Sequence, residues 1–181
     1  MKKLFLDLFK DTGHPGDKIL EIKPCPTRLR IYREMGLQPW GMDNDVRNIQ
    51  HLQSIFPDID LRCGNLTSLP YQSEEKFQII TFFSVLNEMM IPEAKSFLLN
   101  IGALLSEEGS IVFSMLEKNY RPPWWDSGTE IENGRLVLEG EFTGEIYGLY
   151  EDEDIYRLML EFVNIENFKT EVGTLWKARK F

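Results

Sequence analysis

Short apolar runs along the chain alternate with stretches in which apolar residues recur every three or four positions. The apolar runs at 17–22, 39–45 and 59–66 are typical of short strands. A longer run, FQIITFFSVLNEM (77–89), has a β-branched and aromatic centre that is typical of a central strand covered on both faces. The run SIVFSML (110–116) predicts a fifth strand.

The intervening stretches predict helices over 26–36, 46–57 and 91–109. The first of them has a proline at its start, Pro26, and a glycine at its end, Gly36, as helices often do. Strands and helices that alternate in this way indicate crossover connections, a mostly parallel sheet and helices on both of its faces. The expected fold class is therefore α/β.

Both ends of the chain depart from this alternation. Within a lead-in of residues 1–16, one face of a short predicted helix carries Leu4, Phe5, Leu8 and Phe9. Residues 118–150 begin as a loop rich in proline and aromatic residues and continue into a predicted β-hairpin. A helix over 151–164 and two final strands over 165–181 complete the chain. Because no repeat or linker is evident, we expect residues 1–181 to form one domain.

Composition excludes several classes of function. The net charge is −9 and no run is rich in lysine or arginine, whereas binding to a phosphate backbone requires a basic surface, so we expect no nucleic-acid partner. No segment reaches the roughly 18 unbroken apolar residues of a membrane span, and the N-terminus lacks a signal-peptide pattern. We therefore expect a cytoplasmic protein with no membrane partner. Cys25 and Cys63 do not have metal-site spacing, and no metal is expected.

The order of the predicted elements resembles that of the class I S-adenosylmethionine-dependent methyltransferases. The resemblance runs from about Lys18 to Phe181, and it is strongest from ILEI (19–22) through SVLNEM (84–89). It implies a Rossmann-like class I methyltransferase fold, with a seven-stranded, mostly parallel sheet whose last strand is antiparallel. It also implies S-adenosylmethionine as the cofactor.

The turn after the first strand is where the chain departs from the family pattern. The family's strand commonly ends E-x-G-x-G-x-G; here Glu21 matches the acid, while Lys23, Cys25 and Thr27 replace the three glycines. These replacements add side chains where the methionine part of the cofactor would lie. The resemblance makes Glu21 a cofactor residue. Lys23 either pairs with the cofactor carboxylate or simply fills the site.

Other candidate cofactor residues follow the second, third and fourth strands. Asp43, with Asn44 beside it, resembles the family's acid that binds the ribose hydroxyls, although both residues are also good helix caps. Asn65 and Leu66 resemble the turn that contacts adenine, and Gly-Asn is also ordinary turn chemistry. Ser84 begins the segment that in this family passes the methionine part of the cofactor.

Asn87 and Glu88 are the candidate catalytic residues, because they follow the central strand at the edge where catalytic groups often collect. Glu88 is a candidate general base, but methyl transfer often needs little beyond alignment of the two reactants, and the pair also suits a helix start. Trp124 and Trp125 either wall a substrate pocket, cover the sheet or form a partner surface. If they are exposed, a homodimer remains open.

Three functions remain open at this point. The leading hypothesis is an S-adenosylmethionine-dependent methyltransferase that acts on a small molecule or a protein group. The second is a methyltransferase-like domain that has lost catalysis and serves as a binding or assembly module, which the glycine-free turn favours. The third is a nicotinamide- or nucleotide-binding domain, which is disfavoured because a pyrophosphate turn tolerates missing glycines still less well.

Overall fold

The structure is a computed structural model that describes residues 8–9, 12–116, 125–131, 134–138, 143–148, 150–160, 162–169 and 173–181. Of the predicted N-terminal helix, Leu8 and Phe9 are helical and buried, whereas Leu4 and Phe5 lie outside the described residues. Trp124 also lies outside them. Across the described part of the chain, every helix is too short or too polar to cross a bilayer.

Seven strands form the main sheet. Their bounds are β1 (Lys18–Ile22), β2 (Gln38–Asp43), β3 (Asp60–Cys63), β4 (Phe77–Phe83), β5 (Leu105–Leu116), β9 (Phe162–Lys169) and β10 (Gly173–Lys180). The strands lie in the order β3-β2-β1-β4-β5-β10-β9. Neighbouring strands are parallel from β3 to β5, and β10 runs antiparallel to both β5 and β9. The predicted seven-stranded, mostly parallel Rossmann-like sheet is thus confirmed.

Helices cover both faces of this sheet. They are α1 (Pro26–Glu34), α2 (Val46–Ile55), α3 (Ile91–Leu104) and α4 (Asp152–Leu158), with short 3-10 turns at Leu86–Glu88 and Trp125–Ser127. Successive side chains of a strand point to opposite faces, so the apolar residues of β1 and β4 divide between two cores. Leu20 and Phe82 belong to the core under α3 and α4, whereas Ile19 and Ile79 belong to the core under α1 and α2.

The central strand within the apolar run at 77–89 ends at Phe83, so Ser84 begins the segment after it, as predicted; the backbone turns sharply at Ser84, whose φ is 57°. Two predicted helix ends were wrong. The helix predicted over 91–109 ends at Leu104, because Leu105 already pairs with Phe77 and the polar residues that follow form an irregularity within β5. The helix predicted over 151–164 ends at Leu158, and β9 begins at Phe162.

A second, three-stranded antiparallel sheet consists of β6 (Thr129–Ile131), β7 (Gly134–Leu136) and β8 (Ile146–Gly148). Its last strand packs against the turn that follows β4. Gly148 approaches this turn so closely that a Cβ there would lie 2.3 Å from the Met89 carbonyl oxygen. The Tyr150 hydroxyl donates to the same carbonyl at 2.6 Å. The small sheet therefore braces the carboxyl edge of the main sheet, where the candidate site lies.

Candidate functional site

Two cavities open at the edge where the parallel strands β1 to β4 end. The first, of about 400 Å³, is lined by Asn44, Cys63, Gly64, Asn65, Leu66, Thr67, Glu88, Met89 and Glu93. The second, of about 730 Å³, is lined by Lys23, Asp43, Asn44, Asp45, Arg47, Asn48, Glu88 and Glu145. Asn44 and Glu88 belong to both linings, so the two cavities meet there. In parallel α/β sheets this edge is where ligands bind.

The turn after β1 keeps a glycine-like backbone without a glycine. Lys23 has a φ of 55°, in the left-handed region that glycine occupies without strain, and its N–H donates to the Met42 carbonyl at 2.8 Å. Pro24 is buried against β2, where a Cβ on Gly41 would come within 3.0 Å of Pro24 Cγ. Gly41 therefore provides the space for Pro24.

Replacing Lys23 tests this backbone conformation. Alanine and glycine both remove the side chain, but only glycine relieves the cost of a positive φ. We expect the free energy of unfolding of Lys23→Gly to exceed that of Lys23→Ala by about 1 kcal/mol, measured by urea denaturation. If Lys23→Ala is as stable as Lys23→Gly, the left-handed conformation at this position is contradicted.

Glu21 is buried beneath α1 and does not line either cavity. Its side chain is on the α1 face of the sheet, fully buried, and it accepts a hydrogen bond from Arg28 Nε. Its second oxygen, Oε2, is buried without a hydrogen-bond partner in the described part of the structure. Burial raises the pKa of Glu21 to about 8, and the neighbouring Arg28 guanidinium offsets only part of this effect.

Arg28 fixes the start of α1 against the turn. Its Nη2 donates to the Lys23 carbonyl at 3.1 Å, and its guanidinium lies 4.7 Å from the centre of the Phe83 ring. The residue therefore connects the ends of β1 and β4 through one side chain. Arg28 was not among the predicted site residues, because only the fold places its guanidinium between these two strand ends.

Lys23 and Glu88 form an ion pair across the end of the sheet. Lys23 Nζ donates to Glu88 Oε2, and the two side chains are 28% and 43% exposed. Lys23 follows β1 and Glu88 ends the 3-10 turn after β4, and both line the larger cavity. The pair thus connects two neighbouring strand ends while its charged groups remain accessible from the cavity.

Asp43 ends β2 with its carboxylate held in place on both oxygens. Oδ1 accepts the Asp45 backbone N–H at 3.0 Å, and Oδ2 accepts Asn48 Nδ2 at 2.7 Å. The same Asn48 amide donates to the Pro24 carbonyl at 3.2 Å, which joins α2 to the β1 turn. Asn48 was not among the predicted site residues, although it lies in the first turn of α2 and its side chain points toward Asp43.

Asn65 and Leu66 lie in the smaller cavity, after β3. Asn65 Oδ1 accepts both the N–H and the hydroxyl of Thr67 at 2.9 Å, so this oxygen stabilises the local turn. Leu66 is buried and gives the cavity an apolar wall. Asn44, which is exposed, lies between this cavity and the one beside Asp43.

Ser84 and Asn87 do not line either cavity. The Ser84 N–H donates to the carbonyl and the hydroxyl of Ser114 on β5, at 3.1 and 3.0 Å. Asn87 is buried; it accepts the Leu116 N–H at 3.1 Å and donates to the Gly148 carbonyl at 3.3 Å. These contacts position the turn after β4 between the two sheets. Of the two candidate catalytic residues, Glu88 alone lines the cavities.

Comparison with known proteins identifies the architecture. No family model matches the chain, and no curated protein sequence does. Among solved structures, a SAM-dependent methyltransferase from Methanosarcina mazei superposes with a TM-score of 0.74 at 14% identity, and the match covers 96% of each chain. The chain has the class I methyltransferase fold.

Two other solved structures show what proteins with this fold do. The 1,6-didemethyltoxoflavin N1-methyltransferase of Burkholderia thailandensis, solved with that substrate and S-adenosylhomocysteine, matches with a TM-score of 0.69 at 17% identity; 96% of this chain and 75% of that chain are covered. The (4+2)-cyclase SpnF matches with a TM-score of 0.69 at 15% identity, covering 99% and 80%. At these identities the likeness establishes the fold, and the reaction has to be argued from the site.

Proposed function

We propose that the protein binds S-adenosylmethionine and transfers its methyl group to a small molecule. The observation that carries this proposal is the acid at the end of β2, Asp43, which faces one of two cavities that meet at the carboxyl edge of a class I methyltransferase sheet. A carboxylate has about four acceptor positions, so Asp43 can still accept ribose hydroxyls beside its two protein donors.

The residues present fit the three parts of this cofactor. The smaller cavity, with Leu66 as its apolar wall, suits a planar adenine ring. Asp43 suits the ribose. Lys23 and Glu88 supply opposite charges at the side of the larger cavity, where the amino-acid part would be held. The four carboxylates and two cations that line this cavity favour a ligand that is positively charged overall.

S-adenosylmethionine, when bound, supplies an electrophilic methyl group. The protein's own contribution is to hold the reactants in line and to exclude water, and neither task needs a strong acid or base. Asn87 holds the turn after β4 between β5 and β8, so it fixes where Glu88 lies. A small-molecule acceptor is supported by the 1,6-didemethyltoxoflavin N1-methyltransferase, whose fold this chain shares.

Titration calorimetry of the full chain with S-adenosylmethionine and S-adenosylhomocysteine tests this function. We expect micromolar dissociation constants, which correspond to about −8 kcal/mol. Binding would then be followed by a search for acceptors, with tritium transfer from labelled cofactor as the readout. An absence of heat, together with no thermal stabilisation by either ligand at millimolar concentration, would contradict the proposal.

A second function, a binding module without catalysis, is favoured by one observation. Side chains around the β1 turn already have partners within the chain: Arg28 donates to Glu21, and Lys23 pairs with Glu88. Side chains that are paired with each other keep their arrangement without a bound ligand, so the site can be retained in a protein that no longer binds the cofactor. This function predicts the negative calorimetric result, with a partner protein recovered from cell extract in a complex of defined stoichiometry.

A further inference from the structure

The ion pair of Lys23 and Glu88 lies at the turn after β1, where the methyltransferase family pattern has glycines. Pro24 and Pro26 remove two backbone donors from the turn, so few N–H groups are left to hold a ligand carboxylate. In their place the turn presents one ammonium group, on a residue whose backbone takes the conformation of glycine. Binding of an acidic group here then depends on a side chain.

Both members of the pair can bind a ligand while they remain paired. An ammonium group has three donors and a carboxylate has about four acceptor positions, and the Lys23–Glu88 contact uses one of each. Both side chains are partly exposed and line the same cavity as Asp43. An α-amino-acid group carries a carboxylate and an ammonium a few ångströms apart, which complements this arrangement charge for charge.

We infer that Lys23 and Glu88 form a receptor for a zwitterionic α-amino-acid group, so that the site selects adenosyl ligands that carry this group over those that lack it. Lys23 holds the ligand carboxylate, and Glu88 holds the ligand ammonium. The inference rests on the proposed cofactor function and assigns Glu88 to ligand selection, where the sequence suggested a general base. It also explains how the turn dispenses with its glycines.

Two ligands that differ in the amino-acid group test this inference. S-adenosylhomocysteine carries it, and 5′-methylthioadenosine shares the adenosine and sulfur but lacks it. We expect the wild-type chain to bind S-adenosylhomocysteine at least tenfold more tightly. Lys23→Met and Glu88→Gln should each lower the affinity for S-adenosylhomocysteine at least tenfold, because each removes one charge-assisted contact. The affinity of each variant for methylthioadenosine should stay within about twofold of the wild-type value.

Asp58→Asn is the matched control, since it breaks the exposed Arg33–Asp58 ion pair, which does not line either cavity. This variant should bind S-adenosylhomocysteine and methylthioadenosine with the wild-type affinities. Thermal melting of all variants checks that they fold. Equal binding of the two ligands by the wild-type chain, or equal losses for both ligands in the variants, would overturn the receptor and leave the cofactor proposal standing. If the wild-type chain binds neither ligand, both proposals are overturned.

Discussion

Replacing Glu21 by glutamine should make the protein more stable at pH 9 and leave its stability almost unchanged at pH 5. Glu21 is fully buried beneath α1, and one of its carboxylate oxygens has no partner among the described residues. Burial raises its pKa from the ordinary 4.5 to about 8, because the low-dielectric surroundings penalise the ionised form more than Arg28 stabilises it. Glutamine has almost the same shape and stays neutral at every pH.

The sign of the effect follows from proton linkage. The folded-state pKa lies above the unfolded one, so folding takes up a proton between pH 4.5 and 8. The stability that Glu21 contributes is complete below pH 4.5 and is lost as the pH rises through 8. A tenfold change in a proton-binding constant corresponds to about 1.4 kcal/mol, so the advantage of Glu21→Gln at pH 9 should amount to a few kcal/mol.

Urea denaturation at pH 5, 7 and 9, followed by circular dichroism, measures this difference. Glu75→Gln is the control, because hydrogen bonding to Arg62 lowers the pKa of Glu75 and its pH dependence has the opposite sign. That variant should be less stable than the wild-type chain at all three pH values, because the stability that Glu75 contributes is lost only as the pH falls below 4.5. Parallel stability curves for Glu21→Gln and the wild-type chain between pH 5 and 9 would contradict a raised pKa at Glu21.

The fold was predictable from the sequence because its signals are local and repeated. The run at 77–83 is apolar on both sides of the strand, as a central parallel strand must be, and it became β4 between β1 and β5. The end of α3 was not predictable in the same way. It depends on the pairing of Leu105 with Phe77, which only the assembled sheet determines.

The residues of the candidate site also differ in whether the local sequence or only the assembled sheet determines their position. Asp43 was predictable because an acid that follows the second strand of a parallel sheet must reach its ligand-binding edge. The pairing of Lys23 with Glu88 was not, since it joins residues 65 positions apart and requires β1 and β4 to be neighbours. Glu21 is an intermediate case. Alternation along β1 put it on the α1 face, but its pairing with Arg28 depends on the path of the turn between them.

Replacing Asp43 by alanine should weaken binding of S-adenosylhomocysteine by at least about 100-fold, if the proposed cofactor function holds. Hydrogen bonds to a charged group contribute about 1.5–3 kcal/mol each, and the carboxylate would lose its bonds to both ribose hydroxyls. The change also leaves the Asp45 N–H and the Asn48 amide without their acceptor. Some of the loss in affinity would therefore come from a less ordered start of α2, and a control has to separate the two effects.

Asp45→Ala provides that control, because Asp45 lines the same cavity and carries the same charge. Its side chain accepts the Arg47 N–H at 2.9 Å and caps α2, so alanine should cost about 1 kcal/mol of stability. We expect its affinity for S-adenosylhomocysteine to stay within about threefold of the wild-type value, because a charge on the helix cap is not a ribose acceptor. If calorimetry finds that both variants lose the same affinity for S-adenosylhomocysteine, binding depends only on the total charge of the cavity or on the order of α2. The specific contact between Asp43 and the ribose would then be excluded, and the position of Asp43 in the cavity would no longer support the proposed function.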